Sequence, residues 1–194
     1  MSFVVRRLRQ MGYKKVLSPT FALHRGVLEQ HANGLKDLLD KHLLEKGAAQ
    51  VDVVTYSMGG LLFRASLVHD IPYRRVVMLS PPNQGAHLAQ VVRQAIPIHR
   101  SGWDPLHQLL PSVSKDLPEP TENIEVAILA GSKGSPRGYN PLIPGDNDGK
   151  VSIKETFLHR ETLHRTVRSR HPMMLLKPSI LEETAFFLEH GHLS

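Results

Sequence analysis

The chain has 194 residues, 41% of them hydrophobic and 22% charged, the profile of one globular domain with room for a sizeable core. No apolar run approaches the length of a membrane span, and the absence of cysteine excludes disulfides and thiolate-bound zinc. The net charge of +6 is spread over dispersed Lys and Arg, and aromatic residues are only 6%, so a solvated basic surface is expected rather than a nucleic-acid-binding face.

The opening MSFVVRRLRQMGY has arginines among its apolar residues and no signal-peptide core, which makes the cytoplasm the expected location. Phe3, Val4, Leu8 and Met11 stand at helical spacing, closed by Gly12. KKVLS (14–18) reads as a short strand stopped by Pro19. Leu28, Ala32, Leu35, Leu39 and Leu43 make one face of a long helix ending near Gly47. QVDVVTY (50–56) has the β-branched, apolar character of a strand buried on both faces. Met58, Leu61, Leu62, Ala65 and Val68 mark the helix that follows at once.

RRVVMLS (74–80) reads as another buried strand, stopped by Pro81 and Pro82. Residues 83–123 carry one helical piece, GAHLAQVVRQAI, and many prolines, and read as a cap-like or lid-like excursion from the sheet. IEVAILAG (124–131) returns to strand character, a Gly- and Pro-rich loop runs to Gly149, and TLHRTVRS (162–169) alternates as a last strand. Ile180, Leu181, Thr184, Phe187 and Leu188 form a final helix face, begun at Pro178 or Ser179, with Glu182 completing a capping box to Ser179. Strands alternating with helices predict an α/β fold, with a mostly parallel sheet covered on both faces.

VDVVTYSMGGLLFRASLV (51–68) poses the functional question, because a strand runs directly into a helix with Ser57 at the corner. Such a corner holds its apex residue exposed beside the amides of a helix start, as in the nucleophile elbow G-x-S-x-G. Here the elbow reads Thr55-Tyr56-Ser57-Met58-Gly59, with Gly60 behind it. A serine that served only as a helix N-cap would need no glycine pair after it. A serine nucleophile needs a base, and the order expected along such a chain is Ser, Asp or Glu, then His. Asp148 in GDNDGKV and His171 in SRHP fall in that order on loops after later strands. Asp148 has rivals in Asp146 and Glu155, and His171 is one of twelve histidines, distinguished by Pro172, which biases it to extended geometry. DNDG is not a calcium loop, because Lys150 falls where an oxygen ligand belongs, and no H-E-x-x-H or phosphate loop is present. No metal and no cofactor is expected.

VDVVTYSMGGLLFRASL, VVMLSPPNQGAHLAQVV, GDNDGKVSIKET and RHPMMLLKPSILEETAFFLEHGHL together resemble α/β-hydrolases of the bacterial lipase and esterase type. The resemblance runs in order from about Gly12 to the C-terminus. It implies Ser57 as nucleophile, Asp148 as acid, His171 as general base and the Met58 amide as an oxyanion donor. It also implies Tyr56, Trp103, Leu106, Leu109 and Leu110 as substrate contacts, the leucines and Trp103 belonging to the cap. The implied activity is hydrolysis of carboxylic esters, lipids among them, through an acyl-enzyme, with a small-molecule or lipid ester as the partner.

Two departures from that pattern stand out. Thr55 replaces the first elbow glycine. The chain also opens inside the helix that should follow an earlier strand and its His-Gly oxyanion loop. A shortened chain is the expected explanation. The others are a substitute donor from SPTFALHRG (18–26), or a hydrolase-shaped protein that binds an acyl ligand or a protein partner with little or no catalysis. A missing central strand also predicts association through an uncovered region of the sheet.

Overall fold

Four strands pair into one parallel sheet, β1 (Val51–Tyr56), β2 (Tyr73–Leu79), β3 (Glu125–Ser132) and β4 (Leu163–Arg168), in that spatial order. The computed structural model describes residues 2–23, 26–96, 104, 106–160 and 162–194. Parallel neighbours require crossovers, and helices supply them. Helices α1 (Ser2–Gln10) and α2 (Leu28–Lys46) precede β1, and α3 (Gly59–Ser66) joins β1 to β2. Between β2 and β3 lie α4 (His87–Ala95), a 3₁₀ turn at His107–Leu109 and the short α5 (Pro111–Ser114). The short α6 (Ile153–Thr156) precedes β4, and a 3₁₀ turn at His171–Leu175 leads into α7 (Pro178–His190).

The two-residue period of the strands builds two cores. Val76 and Met78 of β2 pack with Leu39, Phe63 and Ile128 on the face covered by α2 and α3. Val77 and Leu79 point the other way, to Ala127, Leu129, Ile180 and Phe187 under α7. Helix α1 closes that second face by packing Val4 and Leu8 on Leu181 and Ala185 of α7. Each such fully buried aliphatic side chain stabilises the fold by about 1.5–3 kcal/mol.

Three local expectations are corrected. KKVLS is not a strand. A strand exists only where it joins a ladder, and residues 14–18 run past β1, the edge of the sheet, as irregular chain. For the same reason β1 is mostly half-buried rather than covered on both faces. A cavity of about 600 Å³ lies along it, lined by β1, by residues 15–21, by Val4, Val5 and Leu8 of α1 and by Leu35 and Leu39 of α2. The capping box expected at Ser179 does not form, because Pro178 takes the first helical position and Lys177 becomes the N-cap. Glu182 instead meets Arg7 of α1 at 2.9 Å. A capping box does form at α6, between Ser152 and Glu155.

The excursion at 83–123 is tied to the sheet by a buried cation. The Arg64 side chain, 1% exposed, donates from Nη1 to the Asn83 carbonyl (2.8 Å), from Nη2 to the Leu117 carbonyl (2.7 Å) and from Nε to the Pro118 carbonyl (3.0 Å). Burial pulls the guanidinium pKa down, and Glu119, 4.0 Å away, opposes that shift. Removing the fork leaves three carbonyls without that donor, the Asn83 carbonyl buried and those of Leu117 and Pro118 partly buried. Arg64→Ala is therefore expected to lower the unfolding free energy by about 3–5 kcal/mol, read as a fall in the urea midpoint. Arg64→Lys should recover little of it, because a point charge cannot span three acceptors.

Candidate active site

Strand β1 passes into α3 without a loop, and Ser57 makes the turn with φ of 53°. That left-handed backbone costs a serine about 1–2 kcal/mol, and the sheet holds it there. The Ser57 amide continues the β1–β2 ladder to the Leu79 carbonyl at 2.9 Å, while its own carbonyl accepts from the Gly60 amide at 2.9 Å. Gly60 is the glycine that close packing demands, since a Cβ there would lie 2.7 Å from the Pro81 Cβ and 3.0 Å from the Met78 Cε. At Gly59 the nearest atom to an added Cβ is the Thr55 Cβ at 3.7 Å, an ordinary contact. Thr55 is thus accommodated at the first elbow position, although its buried Oγ1 has no hydrogen-bond partner among the described residues.

Ser57, His171 and Asp148 converge from three segments. His171 Nε2 lies 2.9 Å from Ser57 Oγ, and His171 Nδ1 lies 2.6 Å from Asp148 Oδ2. The His171 and Asp148 side chains are buried. Asp148 Oδ1 accepts from the Lys150 and Val151 amides, both at 2.9 Å, so one carboxylate oxygen is held by backbone and the other faces the ring. The Asp148 carbonyl also accepts from the His171 amide at 2.9 Å. A carboxylate beside Nδ1 selects the tautomer that carries its proton there, which leaves the Nε2 lone pair toward the serine hydroxyl.

The two rival acids are engaged elsewhere. Asp146 accepts from the backbone amides of Lys133, Gly134 and Ser135 at 2.9, 2.9 and 3.2 Å. Glu155 caps Ser152 and accepts from the His87 amide. Asn147, which the sequence reading passed over, is fully buried and organises the loop. Its Oδ1 accepts from the Tyr139, Asn140 and Gly149 amides, and its Nδ2 donates to the Asn140, Ile143 and Gly145 carbonyls. Gly131, at the end of β3, leaves the space Asp148 occupies, since an added Cβ would lie 2.7 Å from the Asp148 Cβ. The density of Asn, Asp and Gly in 140–149 was the one signal for such a loop.

Met58 stands at the N-cap of α3, and its side chain packs on the cluster of Leu28, Leu61 and Leu62 that Phe21, Leu23 and Leu109 also join. Leu110 is buried at the start of α5 and Leu106 is half-buried, while Trp103 lies outside the described residues. Tyr56 lines the cavity along β1 and also meets the base. Its hydroxyl donates to the His171 carbonyl at 3.1 Å, and its ring lies against the imidazole, centroids 4.9 Å apart. Burial, with Asp148 nearby, pushes the Tyr56 pKa up to about 12. Among the described residues, no group of three or more His, Asp or Glu is placed to hold a metal ion, and no helix is long and apolar enough to cross a membrane.

No family model matches the chain, and no curated protein matches it. Solved structures do. The mature form of a lipase from Bacillus licheniformis, BlEst2, superposes with a TM-score of 0.63 at 20% identity, over 86% of this chain and 75% of the lipase. Phospholipase PlaB from Legionella pneumophila gives 0.53 at 14% identity over 80% of this chain, which spans only 41% of the phospholipase. A Xanthomonas campestris protein assigned to the α/β hydrolase superfamily gives 0.55 at 14% identity, over 97% of this chain and 88% of that one. The order of the four parallel strands, the sharp turn at Ser57 and these superpositions agree, and the chain has the α/β-hydrolase fold.

Proposed function

We propose that the protein is a serine hydrolase that cleaves carboxylic esters, lipid esters among them, through an acyl-enzyme. The observation that carries this reading is the continuous hydrogen-bonded path from Ser57 Oγ through the His171 ring to the Asp148 carboxylate. In the first half-reaction His171 Nε2 takes the Ser57 proton as Oγ attacks the carbonyl carbon. The tetrahedral oxyanion is met by the Met58 amide at the start of α3. Its collapse expels the alcohol, which takes the proton from Nε2 and leaves the acyl group on Oγ. Water then repeats the sequence, with His171 as its base, and frees the acid and the serine. Asp148 stays ionised, holds the tautomer and stabilises the imidazolium at each step.

In this reading the excursion at 83–123 is the cap over the site. Its Leu106, Leu109 and Leu110 face the acyl chain, and the segment at 18–23 supplies the second oxyanion donor. The names of the lipase and phospholipase of like fold point to ester chemistry as well. A protein that only binds an acyl ligand is the competing reading, favoured by the apolar cavity beside β1.

The deciding experiment treats the protein with a fluorophosphonate and, separately, with p-nitrophenyl esters of increasing chain length. A single phosphonyl adduct on the peptide carrying Ser57, together with ester turnover that the reagent abolishes, is the expected result. Intact protein without adduct and without turnover would leave the binding reading in its place.

A further inference from the structure

Resting on that hydrolase reading, we propose that Tyr56 is a positioning residue for the base. From the strand that carries Ser57, it grips the His171 backbone by its hydroxyl and the imidazole by its ring. The geometry is specific. His171 lies in a 3₁₀ turn after β4, at the far edge of the sheet from β1. Its contacts with Asp148 fix one end of the ring and the backbone amide. Those contacts hold the ring by its Nδ1 side and leave the orientation of the Nε2 end to what packs against the ring face. Tyr56 supplies the missing restraint, with the hydroxyl on the His171 carbonyl at 3.1 Å and the ring 4.9 Å from the imidazole at an interplanar angle of 36°.

The placement follows from the strand period. Thr55 and Tyr56 are successive residues of β1, so their side chains leave opposite faces. Tyr56 packs with the cluster of Leu79, Met174 and Phe187, on the face where the 3₁₀ turn docks. Ser57 follows directly, and its left-handed backbone turns its hydroxyl to the Nε2 end of the same imidazole. One rigid element thereby sets the nucleophile and braces the base, adding to the hold that Asp148 of the loop at 140–149 has on the ring and the backbone amide. The hydroxyl remains a donor throughout the working pH range, because burial keeps it protonated. The electron-rich ring face also meets the imidazolium as it forms during attack, an interaction absent while the ring is neutral. Both contributions act in the transition state more than on the bound ester, so they should appear in kcat.

Two variants separate the parts. Tyr56→Phe keeps the ring and removes the hydroxyl, and is expected to lower kcat by about 3- to 10-fold, the effect of one neutral hydrogen bond. Tyr56→Leu removes both, and is expected to lower kcat by about 100-fold through misplacement of the base. KM for p-nitrophenyl butyrate should stay within about twofold in each, since the ester is not the group Tyr56 holds. The rate of fluorophosphonate labelling at Ser57 should fall in the same order, wild type, Phe, Leu, while thermal melting shows each variant folded. If Leu melts early, the Phe variant alone decides, because the ring still fills its site. Wild-type kcat and labelling rates in the folded variants would overturn the proposal, as would a loss confined to KM. Wild-type protein that neither labels nor turns over would instead defeat the hydrolase reading, and the positioning role with it.

Discussion

Ser57→Ala is expected to lower kcat for ester hydrolysis by about 10⁴- to 10⁶-fold, with the chain still folded. The size follows from what one oxygen does. Ser57 Oγ lies 2.9 Å from His171 Nε2 and is the atom that takes the acyl group in the proposed reaction, and without it His171 can act only on water. The fold should tolerate the change, because the turn is held by backbone hydrogen bonds from the Ser57 amide and carbonyl, not by the hydroxyl. Alanine keeps the unfavourable left-handed φ, so little stability is gained or lost there. Burst-phase and steady-state turnover of a p-nitrophenyl ester check the result. Turnover equal to the wild type would assign any esterase activity to another residue.

Asp148→Asn is expected to lower kcat by about 10⁴-fold while changing KM little. Asparagine can keep the backbone contacts at Oδ1, accepting from the Lys150 and Val151 amides as the carboxylate does. The Oδ2 position, 2.6 Å from His171 Nδ1, then becomes an amide nitrogen that donates. Two donors cannot share that contact, so the ring moves its proton to Nε2 and presents the serine with a donor instead of a base. The imidazolium formed during attack also loses its counter-charge. The parallel change Asp146→Asn is the control, because that carboxylate holds the amides of 133–135 and does not touch the ring. If both changes reduced kcat alike, the loop rather than the carboxylate at 148 would be responsible.

Much of the fold could be read along the chain because burial on both faces writes a plain signal. RRVVMLS and IEVAILAG are continuous apolar runs, and both became inner strands, β2 and β3. KKVLS carried similar letters and failed, because a strand depends on a partner that its own residues do not encode. The start of α7 turned on one residue, as Pro178 set the helix register and moved Ser179 past the cap. Ser57, Asp148 and His171 could be singled out because chain order and local turn chemistry are properties of the sequence. The folded chain brings these three side chains together. What surrounds them could not be read. Nothing in the sequence marked Asn147, Arg64 or Gly131 for its part. Each acquires its part only through atoms far away in sequence. Tyr56, which the resemblance implied as a substrate contact, lines the cavity beside β1 and also lies against the histidine, a contact that chain order alone does not disclose.

The strand that presents the serine is also the strand whose outer flank has no pairing partner among the described strands. Val53 and Val54 turn into the two cores and Thr55 is buried, so what that margin offers a second polypeptide is backbone, and the segment at 15–21, with Lys15 and Pro19, runs along it. A second polypeptide that zippered onto this margin would pull on the same backbone that aims the hydroxyl, so for the proposed hydrolase, turnover per molecule is expected to fall wherever rising concentration drives self-association.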